Sequence, residues 1–333
     1  MNRILVIVVT WNSARWLDRC LGSLRSSTVR VDALVVDNAS TDGSADYIAQ
    51  HFPEVELVRS EENMGFGAAN NIGLKLALER GYDYVYLLNS DAWLLPDTLE
   101  NMLAGAEGAL SEGGRGDGAK GSRPFGILSP VQMDATLEAM DRRFEAKCGK
   151  ALAAAEATVW TKKAENVHTP GGDDANVDDN SQKRPHSGRA VVPARFVMAA
   201  HWLISREALE TVGGFSPVFK LYGEDDNYIE RLRYHGFRCG VVPGAMAVHD
   251  RAGRAETKER RMKLKCISAV VKLSNPCAPL LWKMIWEPLE LIGMSVKNAS
   301  AEPLKFLPGF LKRYPEIIRI RRKSKKGALS YSI

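Results

Sequence analysis

The sequence predicts an α/β fold in which a mostly parallel sheet is flanked by helices. Short apolar runs over residues 4–10, 33–37, 55–59 and 84–89 are typical of strands. Amphipathic stretches separate these runs, and such strand–helix alternation favours a parallel sheet with helices on both faces. Several runs end at carboxylate or amide side chains, which a parallel sheet would gather at the carboxyl ends of its strands.

The helices between these strands are predicted from their caps and stop residues. The first begins at Asn12 or Ser13 and places apolar residues on one face. The second begins near Asp42, and the third covers residues 68–80 and stops at Gly81.

The middle of the chain is less regular. Residues 105–126 carry eight glycines, and residues 113–121 are predicted to form a mobile loop. A helix is predicted over residues 135–157. Residues 162–190 are polar and nearly free of large apolar side chains, which predicts a surface insertion or a disordered lid.

Regular elements return after residue 191. A helix that opens at Glu224 is predicted to end at Gly236, followed by two short strands over residues 237–242 and 245–249.

The composition is that of an ordinary globular protein. Of the 333 residues, 45% are hydrophobic and 26% are charged, and the formal net charge is +5. Five cysteines without CxxC spacing favour reduced thiols in a cytosolic setting and argue against a disulfide scaffold or a zinc site. No apolar run has the length of a membrane span or a signal sequence. We therefore expect a cytoplasmic protein, either soluble or peripheral on the inner face of the plasma membrane.

The C-terminal residues form a basic, amphipathic region. Residues 303–333 hold nine Lys or Arg residues and one acid, Glu316, with apolar side chains at three- and four-residue steps. This pattern suits peripheral binding of residues 303–326 to an anionic membrane surface, or equally a helical subdomain packed on the core. Pro308 and Pro315 are predicted to break the helix.

Three segments place carboxylates where the chain leaves an apolar run or opens a helix: VVDNASTDG, LLNSDA and LYGEDDNYIERL. Asp37 either accepts a hydrogen bond from a base or ribose hydroxyl or supports its own turn. Asp91 is either a ligand for a hard cation such as Mg²⁺ or Mn²⁺ or an ordinary turn residue. The sequence leaves both alternatives open.

The third segment opens its helix with Glu224, Asp225 and Asp226. Repulsion among close carboxylates raises a pKa and can produce a general base, although acids also favour a helix N-terminus on electrostatic grounds alone. His249 ends a predicted strand beside Asp250, where it is a candidate metal ligand or phosphate donor.

Taken in order, these segments resemble family 2 glycosyltransferases, especially the rhamnosyltransferase-like branch. The matching segments are VIVVTWN, VVDNASTDGS, ENMGFGAANNIGL, LLNSDAWL, REALETVGGF, YGEDDNYIERLRYHGF and VVPGAMAVHDRAG. They fall within residues 3–104 and 191–253, roughly half of the chain. The resemblance implies a GT-A fold, in which a Rossmann-like nucleotide-binding half joins an acceptor half.

The resemblance also implies roles for individual residues. Asp225, beside Glu224, would be the base that deprotonates the acceptor hydroxyl. Asp91 and His249 would form the site of a Mg²⁺ or Mn²⁺ ion that binds the donor diphosphate. In-line attack would invert the anomeric configuration. The nucleotide-sugar donor would be bound by Thr10, Asn12, Asp37, Asn38, Asn63, Gly65, Asn70, Asn89, Ser90 and Arg231.

Some positions depart from the family pattern, and they lie on the acceptor side. EDDNY stands where EDVDL is common, so that Asn227 replaces an acid. Ala199 replaces a usual glycine, His201 and Trp202 replace smaller or apolar residues, and Ser216 replaces an acid. We therefore expect intact donor chemistry, while the acceptor stays open.

The chain is predicted to contain a GT-A domain over residues 1–253 and a helical, basic extension over residues 254–333. Within the domain, residues 1–104 would bind the nucleotide sugar, residues 105–190 would form a variable insertion, and residues 191–253 would form the acceptor half.

The predicted function is sugar transfer from a nucleoside-diphosphate sugar to a hydroxyl of a glycan or lipid-linked acceptor in surface-polysaccharide assembly. dTDP-rhamnose is the favoured donor and a UDP-sugar the next, and no nucleic acid is expected as a partner. The alternative is a non-catalytic sugar-nucleotide-binding subunit. A dehydrogenase ranks third, because GFGAAN nearly matches GxGxxG but has Asn70 at the third glycine position.

Overall fold

The structure is a computed structural model that describes residues 2–114, 123–155, 190–251 and 257–328. Within these ranges one sheet contains the strands β1 Ile4–Thr10, β2 Asp32–Asp37, β3 Glu56–Arg59, β4 Tyr84–Asn89, β5 Ala92–Leu94, β6 Phe125–Met133, β7 Val192–Ala194, β8 His201–Ser205 and β9 Arg238–His249. Their order is β3-β2-β1-β4-β8-β6-β9-β5, and β7 pairs with β9.

The helices cover both faces of this sheet and continue beyond it. They are α1 Leu17–Arg25, α2 Ser44–His51, α3 Phe66–Glu79, α4 Thr98–Gly114, α5 Arg206–Val212, α6 Glu224–Tyr234, α7 Lys258–Ser274, α8 Leu280–Asn298, α9 Glu302–Lys312 and α10 Tyr314–Lys326.

The first four strands confirm the predicted parallel half. β1 lies between β2 and β4 and runs parallel to both, and β3 runs parallel to β2. Beyond β4 the sheet is mixed, because β8 runs antiparallel to both β4 and β6, while β6 and β9 are parallel. The α/β class with flanking helices is therefore confirmed, and the antiparallel β8 makes the sheet less uniformly parallel than predicted.

Side chains of β1 point alternately to the two faces of the sheet, so they contribute to two separate layers of the core. Leu5 and Ile7 belong to the layer that includes α3, whereas Ile4, Val6 and Val8 belong to the layer that includes α1 and α2. Successive strand side chains point to opposite faces, so a strand with helices on both sides is apolar throughout. This burial fixes β1 rigidly, and with it the chain that turns out of its carboxyl end.

Two of the predicted strands are one element. The strands predicted at 237–242 and 245–249 form the single strand β9, which pairs with β6 along most of its length. A register shift opposite Pro130 and Val131 absorbs the extra β9 residues between Val242 and Met246. A bulge of this kind keeps the ladder continuous across a segment that looks like a turn in the sequence.

The helix predicted over 135–157 begins later than expected. Asp141 caps it, because its Oδ1 accepts hydrogen bonds from the amides of Arg143 (3.0 Å) and Phe144 (2.9 Å). The preceding residues form a turn in which Asp134 N donates to Ala139 O at 2.9 Å. The loop predicted at 113–121 also starts later, since α4 continues to Gly114. The rest of that loop and most of the predicted 162–190 insertion lie outside the described residues.

The four C-terminal helices pack together and against the loop before α6. Their core includes Cys266, Leu291, Phe310 and Ile317, together with Val218 and Phe219 from the loop before α6. Pro308 lies inside α9 and does not break it, whereas the predicted break before Pro315 is confirmed, because α9 ends at Lys312 and Pro315 lies in the first turn of α10. A first-turn proline removes no helical hydrogen bond. Across the described residues, no helix is both long and apolar enough to cross a bilayer.

Candidate active site

A cavity of about 1050 Å³ lies where β1 and β4 end and α6 begins. Segments that are far apart in the sequence supply its walls, including α7 and the short helical turn after Asp141. The structure brings nine of the predicted site residues to this cavity: Asn38, Asn63, Gly65, Asn89, Ser90, Asp91, Glu224, Asp225 and His249.

Amide side chains hold one end of the cavity in shape. Asn38 Nδ2 donates to Asn63 Oδ1 at 3.0 Å, and Asn38 Oδ1 accepts from the amide of Met64 at 2.9 Å. Asn63 Oδ1 also accepts from the amide of Gly65 at 2.9 Å. These bonds tie the end of β2 to the loop that enters α3, and so form a rigid polar surface.

Gly65 occupies a position that other residues cannot adopt without strain. Its φ is +87°, and an added Cβ would lie 2.0 Å from the backbone oxygen of Lys220. The loop before α3 therefore contacts the loop before α6 through backbone atoms. This close approach joins the two loops at the cavity.

Thr10 and Asp37 lie just behind the cavity lining and are almost fully buried. Within the described residues, Thr10 Oγ1 and Asp37 Oδ1 have no hydrogen-bond partner. The other Asp37 oxygen, Oδ2, accepts from the amide of Ser40 at 3.0 Å. Asp37 thus supports its own turn and retains a free acceptor, so both sequence-based alternatives are compatible with the geometry.

Asn12 and Ser90 organise neighbouring loops. Asn12 has φ +52° and accepts through Oδ1 from the amide of Thr41 at 2.8 Å, outside the cavity lining. Ser90 lines the cavity, and its hydroxyl lies 2.9 Å from that of Ser13.

Asp91 and His249 face each other at the end of the short strand pair. β5 pairs antiparallel to β9 with Ala92 opposite His249, and Asp250 N donates to Asp91 O at 2.9 Å. This pairing places Asp91 Oδ1 3.6 Å from His249 Nε2, and both side chains are nearly buried. A buried carboxylate beside an imidazole at a cavity wall fits the binding of a divalent cation. The residues that the structure describes contain no cluster of three or more potential metal-ligand side chains.

Glu224 and Asp225 begin α6 after Gly223, whose φ of +85° turns the chain into the helix. Burial, followed by the charge of Asp226, raises the pKa of Asp225 to about 7. Burial, followed by the charge of Asp225, raises the pKa of Glu224 to about 8. Both carboxyl groups therefore keep their protons to a higher pH than exposed carboxyl groups do, and a pKa raised toward neutrality is what a general base needs.

Two predicted donor-binding residues lie away from the cavity. Arg231 is 1% exposed and donates to the backbone oxygens of Val212 (2.9 Å) and Gly214 (2.6 Å). Its guanidinium thus holds the loop between α5 and α6 and does not line the cavity, so this position gives no support to the predicted role of Arg231 in donor binding. Asn70 is also buried and donates to Phe66 O at 2.9 Å within α3.

The cavity also contains cations that the sequence analysis did not identify. They are Arg143, Lys147, Lys220, Arg251 and Arg260. Arg251 could have been found, because it directly follows the HD pair in VHDRAG, and its Nε lies 2.9 Å from Asp141 Oδ2. Lys220 directly precedes the LYGEDDNYIERL segment, whereas Arg143, Lys147 and Arg260 lie in segments without a recognisable motif, and only the fold brings them here. These cations give the cavity positive groups that phosphates could contact.

This arrangement can bind a phosphorylated ligand and remove a proton in one compartment. Cations and the buried Asp91–His249 pair lie on its walls, and the pKa of Asp225 is raised toward neutrality, which suits a group that accepts a proton. The polar amide end can recognise a base or sugar hydroxyl.

The sequence has clear relatives among sugar-transferring proteins. Residues 5–114 match the family described as Glycosyl transferase family 2. An undecaprenyl-phosphate mannosyltransferase of Micrococcus luteus is 36% identical over 104 residues, which are 30% of this chain and 43% of that protein. The match therefore spans less than half the length of that relative. An N-acetylglucosaminyl-diphospho-decaprenol L-rhamnosyltransferase of Mycobacterium tuberculosis is 25% identical over 258 residues, 74% of this chain and 76% of that protein.

A solved structure shares the fold. The mannosyltransferase PcManGT from Pyrobaculum calidifontis, in complex with GDP-Man and Mn²⁺, aligns with a TM-score of 0.52 at 18% identity, covering 97% of this chain and 87% of that one. Such low identity shows the fold alone. Residues 5–114 of this chain thus match the model of glycosyl transferase family 2, and the chain has the fold of the GT-A glycosyltransferases.

Proposed function

We propose that the chain is an inverting, metal-dependent glycosyltransferase that acts on a hydroxyl of a glycan or lipid-linked acceptor. The observation that carries this proposal is that Asp225 lines the same cavity as Asp91 and His249. Displacement of a nucleoside diphosphate by a hydroxyl needs a base for the attacking oxygen and charge neutralisation for the leaving group. One cavity offers candidates for both.

Asp225 is the proposed base. It would accept the proton of the acceptor hydroxyl while the hydroxyl oxygen bonds to the anomeric carbon and the bond from that carbon to the diphosphate breaks. A single displacement of this kind inverts the configuration. Glu224, whose pKa is raised to about 8, would be protonated and would donate a hydrogen bond.

Asp91 and His249 are the proposed holders of a Mg²⁺ or Mn²⁺ ion. Asp91 offers a carboxylate oxygen that suits either ion, and substrate phosphates and water would supply further oxygens. When bound, the ion would neutralise charge on the departing diphosphate. The cations on the cavity wall, including Arg251 and Lys220, would hold the same phosphates.

dTDP-rhamnose is the proposed donor, and a UDP-sugar is the next choice. Support for rhamnose comes from the Mycobacterium tuberculosis relative, whose match extends over 74% of this chain. Support for a lipid-linked acceptor comes from the polyprenyl groups in the names of both relatives. The proposed place of the reaction is surface-polysaccharide assembly.

We further propose that the protein works at the cytoplasmic face of the plasma membrane, with residues 303–326 near anionic lipid. Four α10 cations, Arg319, Arg322, Lys323 and Lys326, line a surface groove of about 430 Å³. Their spacing places them on one side of the helix, where they would attract anionic headgroups. The division into a catalytic domain over 1–253 and an extension over 254–333 remains a prediction.

A thermal-shift panel tests the donor site. The wild type is heated with dTDP, UDP or GDP, each with and without Mn²⁺, and Asp91→Ala is compared with Glu138→Ala, which alters an exposed acid away from the cavity. We expect a Mn²⁺-dependent rise in melting temperature with dTDP that only Asp91→Ala abolishes. No response to any nucleoside diphosphate would contradict the proposal. A positive nucleotide then enters a sugar-transfer assay with polyprenyl-linked acceptors.

A further inference from the structure

Helix α8 carries large apolar side chains on its outer face. Their exposed fractions range from 43% for Ile292 to 80% for Val296. The other members of this outer stripe are Leu281, Trp282, Ile285, Trp286 and Leu289. From Leu281 to Val296 the stripe extends for about 22 Å along the helix. Leu304 and Leu311 of the neighbouring helix α9 are also about half exposed.

Three of the four charged side chains of α8, Lys283, Glu287 and Glu290, form ion pairs on the side that faces α7, whereas Lys297 is exposed. Glu287 is 1% exposed and lies 3.3 Å from Lys272 of α7 and 3.0 Å from Lys283. Glu290 lies 2.7 Å from the same Lys272. A helix on the surface of a water-soluble protein normally places its charges outward and its apolar side chains inward. The buried Glu287 and the exposed apolar stripe depart from this rule, which indicates that the outer face of α8 contacts a medium other than water.

Two features favour a lipid bilayer as that medium. Trp282 and Trp286 stack at the N-terminal end of the stripe with ring centroids 5.3 Å apart, and tryptophan favours the membrane–water interface. The exposed cations Lys297 and Lys305 border the other end, and the cationic groove of α10 belongs to the same helical unit. Apolar and tryptophan side chains beside lysines complement an anionic membrane surface.

We propose that α8 is an in-plane membrane anchor whose outer stripe inserts into the interface of an anionic bilayer. This inference goes beyond the proposed function, since it depends on neither donor nor acceptor, and it assigns the principal contact to residues 281–296 rather than to 303–326. α7 lines the cavity with Arg260, Leu264 and Ile267 and packs on α8 with its other side. The bilayer would thus lie one helix away from the cavity.

Vesicle flotation tests the anchor directly. The full chain is floated with vesicles of phosphatidylcholine alone and with added phosphatidylglycerol. Ile285→Glu combined with Leu289→Glu is compared with Leu137→Glu, which alters an apolar residue of similar exposure (44%) elsewhere. Burying one large apolar side chain changes partitioning by roughly tenfold, so we expect about a 100-fold loss for the double variant and none for the control.

A charge variant separates insertion from electrostatic attraction. Lys323→Glu with Lys326→Glu should weaken binding to phosphatidylglycerol vesicles several-fold and leave binding to neutral vesicles unchanged. Unchanged vesicle binding by the Ile285→Glu and Leu289→Glu double variant would overturn the proposal. The proposal would also be overturned if the wild type did not bind vesicles but formed a concentration-dependent dimer that the double variant abolished. In that case a second copy of the chain would cover the stripe.

Fluorescence quenching provides an independent readout of depth. Brominated lipids should quench the wild type, and Trp282→Phe with Trp286→Phe should lose most of that quenching while still floating. Retained quenching in this variant would contradict insertion of α8. Because neither experiment contains a nucleotide sugar, an inactive protein that floats would refute only the proposed reaction, and an active protein that does not float would refute only the anchor.

Discussion

Replacing Asp225, the proposed base, should lower activity and raise the free energy of unfolding. The gain in stability should depend on pH. The pKa of Asp225 rises from 3.8 to about 7, mainly through burial. Between these values the folded protein keeps a proton that the unfolded chain releases, so this group makes the folded state less stable as pH rises. A pKa raised this far corresponds to about 4 kcal/mol, and solvent screening of the half-buried carboxylate lowers the expected effect to about 1–3 kcal/mol.

Asp225→Asn removes the ionisable group with little change in volume. We expect its free energy of unfolding to exceed that of the wild type by about 1–3 kcal/mol at pH 8 and by less at pH 5, because the penalty develops as pH rises toward 7. Removal of a general base should lower kcat by about 10²–10⁴-fold. Wild-type kcat/KM should rise with pH up to about 7 and then level off, and the variant should lose this dependence.

Urea unfolding at pH 5 and pH 8, with kinetics over the same range, measures both effects. Glu138→Gln is the matched control, because this exposed acid lies away from the cavity and should alter neither quantity. An equal change in stability at both pH values would refute the argument that burial of the charged form raises the pKa. Full activity of Asp225→Asn would refute the assignment of the base.

Three further predictions concern the donor site and its support. Asp91→Asn should abolish the Mn²⁺-dependent part of nucleoside diphosphate binding in calorimetry, and unchanged binding would exclude Asp91 as a ligand. Gly65→Ala should cost several kcal/mol in urea unfolding, since its Cβ would lie 2.0 Å from Lys220 O, whereas Gly22→Ala meets no atom within 4 Å and should be neutral or slightly stabilising. Arg231→Lys should lower the free energy of unfolding by about 1–3 kcal/mol while leaving the donor KM unchanged. A rise in donor KM without a loss of stability would instead show that Arg231 contributes to donor binding.

Much of the catalytic half could be predicted because its determinants are local. β4 has the predicted bounds, and β1 to β3 agree within a residue, since buried parallel strands leave continuous apolar runs. The helix predicted from residue 135 failed at its start, because the hydrogen bonds of Asp141 and the turn before it outweigh apolar periodicity. The division of β9 into two strands failed because a bulge opposite β6 preserves pairing.

The sequence by itself determined which groups could carry the chemistry. Asp91 and Asp225 lie where a strand ends and a helix begins, and those positions follow from local patterns. Tertiary structure decided which groups share a cavity: it turned Arg231 toward backbone carbonyls and brought in Arg143, Lys147 and Arg260 from distant segments. It also decided which face of α8 points outward. Helical periodicity groups the apolar side chains of α8, but only its packing against α7 shows that Glu287 is buried and that the stripe from Leu281 to Val296 is exposed.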